Sequence, residues 1–116
     1  MRGIIVDDEP IMLRSFMRVS KGIEDLEIVE QFSDPEEVLK WLDDNTCDVA
    51  FLDVVMPRIT GFELSKKILE KKPGTRIVFT TAYSMDMDLY KEHAHDGYLL
   101  KPYRRELMED LIKSLK

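Results

Sequence analysis

A chain of 116 residues, 44% hydrophobic and 34% charged, has the size and balance of one globular domain able to bury roughly 65% of its unfolded surface. Its 17 basic and 23 acidic residues leave a net charge of −6, which argues against nucleic acid or an anionic membrane as the direct partner. The one cysteine, Cys47, excludes an internal disulfide, and no apolar run approaches a membrane span, so a cytoplasmic domain is expected.

The first apolar run, residues 3–6, ends in Asp7, Asp8, Glu9 and Pro10; acids followed by a proline mark a helix start. Met12, Leu13, Phe16 and Met17 continue at helical spacing, and Gly22 lies just past the predicted end. Residues 26–32 are β-prone but interrupted by Glu27 and Glu30, as suits a strand near a sheet edge. Asp34, Pro35 and Glu37 supply a cap, a proline at the first helical position and an acid two further on. Residues 49–52 are a near-continuous apolar run of the kind a buried parallel strand needs, and it stops at Asp53. Thr60 then reads as an N-cap, with Glu63 placed to close a capping box and the helix ending before Pro73 and Gly74. Residues 76–81 are a fourth buried strand ending in two hydroxyls, Thr80 and Thr81. Residues 84–95 make a polar helix, residues 97–100 a fifth strand running into Lys101 and Pro102. Leu107, Leu111, Ile112 and Leu115 form the apolar face of a last helix.

Five strands alternating with five helices predict an α/β, doubly wound sandwich: a five-stranded parallel sheet in the flavodoxin-like order 2-1-3-4-5. Strands 1 and 3 are then neighbours at the switch point. Their ends carry Asp7, Asp8 and Asp53, and strands 4 and 5 deliver Thr81 and Lys101 to the same edge. A lone aspartate at a strand end is better read as a turn cap. The acid pair and the lysine reverse that preference.

Three carboxylates at ~5 Å and an effective dielectric of ~20 repel by roughly 3 kcal/mol per pair, so the cluster is not there for stability. A shifted acid or base, or a hard cation held by oxygen ligands, explains it; Mg²⁺ (or Mn²⁺) suits a site with few carboxylates and room for phosphate oxygens. A lysine and a hydroxyl converging there supply a cation and a donor for a tetrahedral oxyanion. Together they describe phosphoryl transfer onto Asp53.

These residues also resemble a family, the receiver (CheY-like) domains of two-component response regulators, over the whole chain, 1–116. Asp7 and Asp8 look like its acidic pair, and Leu52-Asp53 with Met56-Pro57 and Gly61 like its phosphoacceptor motif. Thr81-Ala82 looks like the switch hydroxyl and small residue, and residues 97–102 like the aromatic switch and Lys-Pro. The resemblance implies that Asp53 accepts a phosphoryl group from a sensor histidine kinase or phosphotransfer protein. It implies Mg²⁺ on Asp8, Asp53 and the Val55 carbonyl, with Asp7 acting through water. Lys101 would pair with the acyl phosphate, and the bond to Pro102 would be cis. Thr81 would swing inward and Tyr98 follow, switching the face made by helix 4, strand 5 and helix 5, where many members dimerise. On this reading the chain is a signalling phosphoacceptor and not an enzyme, beyond its own phosphotransfer and slow dephosphorylation. Val55 and Tyr83 stand where they would tune that slow step, Val55 by offering no hydrogen bond to the hydrolytic water and Tyr83 by covering the phosphoryl group.

Other readings are weaker. A flavin-binding flavodoxin would need a hydroxyl- and glycine-rich phosphate loop where Asp7, Asp8 and Glu9 stand. A haloacid dehalogenase-type phosphatase would need an acid at Val55. The alternative is a phosphorylation-independent pseudo-receiver that serves as an interaction module; such domains usually lack an acid or the lysine, and this chain has both. Thr80 competes with Thr81, which is preferred as last in the strand. His93 and His95 do not share a helix face and read as surface residues, and most methionines as core. The chain ends where the last helix ends, so a single-domain regulator or an excised receiver is expected. Residues 93–102 look like receivers that precede LytTR-type or AraC-type DNA-binding domains.

Overall fold

The computed structural model describes residues 1–82 and 95–116. Five strands, β1 (Arg2–Val6), β2 (Glu27–Phe32), β3 (Val49–Asp53), β4 (Arg76–Thr81) and β5 (Gly97–Leu100), pair in parallel in the order β2-β1-β3-β4-β5. Helices α1 (Pro10–Ser20), α2 (Pro35–Asp44), α3 (Gly61–Lys71) and a C-terminal helix (Arg105–Ser114) cover the two faces. The sheet order is the one the alternation predicts. The helix expected at 84–95 lies, but for His95, outside the described residues.

Burial follows from position in the sheet. All five residues of β3 are buried, as a central strand covered on both faces requires. Strand β2, at one edge, exposes Glu27 and Glu30, the residues that marked it in the sequence. Alternate side chains then divide the core. Val6, Leu52 and Phe79 face α2 and α3, where they meet Val38, Leu42, Leu64 and Ile68. Ile5, Phe51 and Val78 face the other way, onto Phe16, Met108 and Ile112. Each such side chain contributes about 1.5–3 kcal/mol on burial. Met56 and Met108 fill opposite layers, as expected of core methionines.

The helix starts are local chemistry. Asp34 Oδ1 accepts from the Glu36 amide at 3.0 Å and so caps α2. Thr60 caps α3 by accepting from the Glu63 amide at 3.1 Å. The capping box differs from expectation in its return bond: the Glu63 carboxylate accepts from the Thr60 hydroxyl at 3.3 Å. Asp34 also pairs with Arg58 at 3.3 Å, which ties the loop after β3 to the start of α2. Met1 and Lys116 both meet Asp25: the terminal ammonium donates to its carbonyl, the lysine to its carboxylate. Among the described residues, no helix is long and apolar enough to cross a membrane.

Candidate functional site

Parallel strands all end at the same sheet edge, and here that edge gathers acids. Asp7 lies one residue past β1, held by its amide on the Phe32 carbonyl at 3.0 Å. Asp53 is the last residue of β3 and 3% exposed. With Asp8, half-buried, they offer one oxygen each within 4.8 Å of one another. The crowding expected of three carboxylates is therefore present.

Lys101 enters from the end of β5. Its amide donates to the Thr81 carbonyl at 2.7 Å, fixing the backbone, and its bond to Pro102 is cis. The side chain, 7% exposed, places Nζ 2.6 Å from Asp7 Oδ2 and 3.4 Å from Asp53 Oδ1. One ammonium thus spans two carboxylates and leans toward Asp7. The remaining Asp7 oxygen accepts from the Glu9 amide at 2.9 Å, whereas Asp53 gains only a long contact, 3.4 Å, from the Val55 amide. Asp53 is the less supported of the two.

The titration behaviour follows. Burial, then the charge of Asp7, pushes the Asp53 carboxyl up to about 6 against the pull of Lys101 and the Val55 amide. Burial by itself would lower Lys101, but the hydrogen bond to Asp7 and the charges of Asp53 and Asp7 outweigh it, and the ammonium is held above its ordinary range. Asp8 Oδ1 is buried with no hydrogen-bond partner among the described residues. An oxygen-only cluster with an orphaned, desolvated carboxylate oxygen fits a hard divalent cation.

The other expected residues fall around this centre. Thr81 is buried at the end of β4, and by strand alternation it shares the sheet face of Phe79. Thr80 shares the face of Asp53, opposite which it pairs in the β3–β4 register. Tyr98, on β5 opposite Phe79, is 39% exposed. Val55 stands 61% exposed at the rim, between the buried Val54 and Met56. The His95 ring packs on Phe79 at 5.8 Å, and His95 has no place in the acid cluster. Tyr83 and His93 lie outside the described residues. Tyr103, buried behind the acid cluster, escaped the sequence reading, although a phenol directly after Lys101-Pro102 is a signal of its own.

Two features hold the loop after Asp53. The Val54 amide donates to the Thr80 carbonyl and the Gly61 amide to the Val54 carbonyl, each at 3.0 Å. Gly61 sits so close that a Cβ there would lie 2.3 Å from the Asp53 carbonyl oxygen. Only glycine allows that approach.

Comparison with known proteins gives one consistent match. The family model described as the response regulator receiver domain matches residues 4–113. The transcriptional regulatory protein BtsR of Salmonella typhi is 35% identical over 97% of this chain and 47% of its own length. The sensory transduction protein LytR of Staphylococcus haemolyticus is 30% identical over 100% of this chain and 45% of its own. The chain thus spans about half the length of these relatives. The response regulatory domain of protein mrkE from Klebsiella pneumoniae superposes with a TM-score of 0.86 at 31% identity, covering 99% of this chain and 94% of that one.

Proposed function

This chain belongs to the response regulator receiver domain family, and from that premise we propose that it accepts a phosphoryl group on Asp53 from a sensor histidine kinase or a phosphotransfer protein. The observation that carries the reading is the Asp53 carboxylate, buried beside two further acids with Lys101 Nζ at 3.4 Å. With its carboxyl pushed up to about 6, Asp53 is mostly ionised at neutral pH and more basic than a free carboxylate, which favours attack on phosphorus. An Asp53 oxygen forms the new bond to phosphorus as the bond to the donor's imidazole nitrogen breaks, and that nitrogen leaves with the electron pair. Lys101 has three donor hydrogens, and its two carboxylate partners leave it able to reach a phosphoryl oxygen as well. Mg²⁺ or Mn²⁺, when bound, neutralises phosphoryl oxygens. Asp8, Asp53 and the Val55 carbonyl would hold that ion, with Asp7 acting through water.

The check is incubation with acetyl phosphate and Mg²⁺. One added phosphoryl group by intact mass is expected, absent in Asp53→Asn and in EDTA. Modification that survives either condition sinks the assignment, and a wild type that takes up no phosphoryl group returns the pseudo-receiver. Once the donor is removed, the group should decay slowly, because Val55 offers the hydrolytic water no hydrogen bond. Val55→Asn should speed that decay about tenfold; an unchanged rate means this position does not reach the water.

The output we assign to the face carrying β5 and the C-terminal helix, where Tyr98, Leu100 and Leu107 are 39%, 42% and 47% exposed. Thr81 moving toward the phosphoryl group and Tyr98 turning inward would reshape it, and with it a phosphorylation-dependent homodimer. Light scattering should find a heavier species with beryllofluoride than without; equal masses across a wide concentration range leave a monomer that signals to another protein.

A further inference from the structure

The acid cluster is also lined from inside the protein. Asp7, Asp53 and Thr80 stand two residues beyond Ile5, Phe51 and Val78 on adjacent strands, so all three project from one sheet face. Tyr103 closes that layer. It is 7% exposed, and its ring meets Phe16 edge-on at 5.1 Å. The Tyr103 and Thr80 hydroxyl oxygens are both buried, and neither has a hydrogen-bond partner among the described residues. Burial pushes the Tyr103 phenol up, the nearby Thr80 hydroxyl draws it part of the way back, and the charges of Asp7 and Asp53 raise it again. Thr80 is thus near enough to be felt, though the pair lacks the geometry of a formed hydrogen bond. Tyr103 remains a neutral donor, and the charges it feels are the two carboxylates.

An orphaned buried hydroxyl is destabilising, and phenylalanine and valine would fill these two places without it. Two such hydroxyls behind one site therefore call for a use. Lys101 supplies it. In the resting protein its ammonium lies 2.6 Å from Asp7, a residue wholly shut off from solvent. An ammonium drawn to a phosphoryl group on Asp53 leaves that carboxylate with one donor fewer.

We propose that Tyr103 and Thr80 are positioning residues for the phosphoacceptor, an inward-facing pair of donors that takes over at the Asp7 carboxylate and the Asp53 acyl oxygen when Lys101 turns to the phosphoryl group. The inference rests on the reading of Asp53 as phosphoacceptor. Neither hydroxyl oxygen stands in hydrogen-bonding geometry to a carboxylate in the resting protein, so the exchange brings a carboxylate released by Lys101 toward the two hydroxyls, which the packing around Phe16 holds in place. The pair holds the carboxylates in place without touching the phosphorus.

The experiment compares wild type, Tyr103→Phe and Thr80→Val. Both variants should melt at or above the wild-type temperature, since each removes an unsatisfied hydroxyl. Both should take up phosphoryl from acetyl phosphate about tenfold more slowly at saturating donor, with an unchanged half-saturating concentration, because positioning and not donor binding is lost. Independently of turnover, the Tyr103 ¹³Cζ resonance, identified by its loss in Tyr103→Phe, should move downfield with Mg²⁺ and beryllofluoride as the hydroxyl begins to donate. Should Tyr103→Phe fail to fold, Thr80→Val and the resonance still decide. A stationary resonance with wild-type uptake in the variants overturns the proposal and leaves Asp53 as phosphoacceptor. Wild type that takes up no phosphoryl group overturns both.

Discussion

Gly61→Ala is expected to lower the thermal midpoint by roughly 10–15 °C and to slow phosphoryl uptake about 100-fold. A Cβ at Gly61 would stand 2.3 Å from the Asp53 carbonyl oxygen and 3.0 Å from Val54 Cα, and both are backbone atoms that cannot swing aside. Relief requires moving either the start of α3 or Asp53, the proposed phosphoacceptor. Overpacking of this kind costs about 3 kcal/mol, and in a domain of this size each kcal/mol moves the midpoint by several degrees. The loss of rate has a separate origin, since displacement of a reacting group by about 1 Å is worth about 100-fold. Gly74→Ala is the control, because a Cβ there meets nothing within 4 Å. Melting and acetyl phosphate uptake at wild-type levels for Gly61→Ala would show a loop that shifts freely, and the close approach would have no bearing on the site.

The second large effect is a gain. Without metal at pH 7.5, Asp53→Asn should unfold several degrees above wild type. Asp53 has a folded pKa of about 6 against an ordinary 3.8, so the fold prefers its protonated form. The sign follows from linkage: stability from this residue is full below the ordinary value and is lost as pH rises through about 6. A shift of about two units corresponds to at most about 3 kcal/mol. Wild-type stability should therefore fall between roughly pH 4 and 6.5 relative to the variant, whose curve lacks this component. Mg²⁺ should then raise the wild-type midpoint more than the variant's if, as proposed, the folded cluster binds it with the help of the Asp53 charge. Thermal melts across that range, with EDTA and then with Mg²⁺, test both halves. A variant less stable than wild type in EDTA would mean that Lys101 more than offsets the repulsion at Asp53.

What the sequence could disclose here is set by how local each signal is. The β3 run, the Asp34 and Thr60 caps and the polar interruptions of β2 are decided by near neighbours in the chain, and they were legible. The sheet order followed from alternation and crossover handedness, and it brought Asp7, Asp8, Asp53 and Lys101 to one edge. Three further features needed coordinates. Which threonine shares the face of Asp53 depends on the β3–β4 register, and Thr80 sits opposite Asp53. The lean of Lys101 toward Asp7 depends on how a long flexible side chain settles between two acids. Tyr103 drew no notice in the sequence, and its interest lies in a hydroxyl that is buried without a partner among the described residues. Each is a matter of side chains from distant segments meeting, and no short stretch encodes it.

The meeting of Met1 and Lys116 at Asp25 has a practical side. Asp25 precedes β2 and so lies at the opposite pole of the sheet from the acid cluster. The C-terminal helix spans its ten residues, about 15 Å, between a segment that packs beneath the acids and one that ends at that far pole. Protein tethered to a sensor chip through an affinity tag at either terminus would hang from the pole away from Asp53. The acidic edge would then face the flowing solution, open to any partner that docks there. Random coupling through surface amines would scatter that orientation.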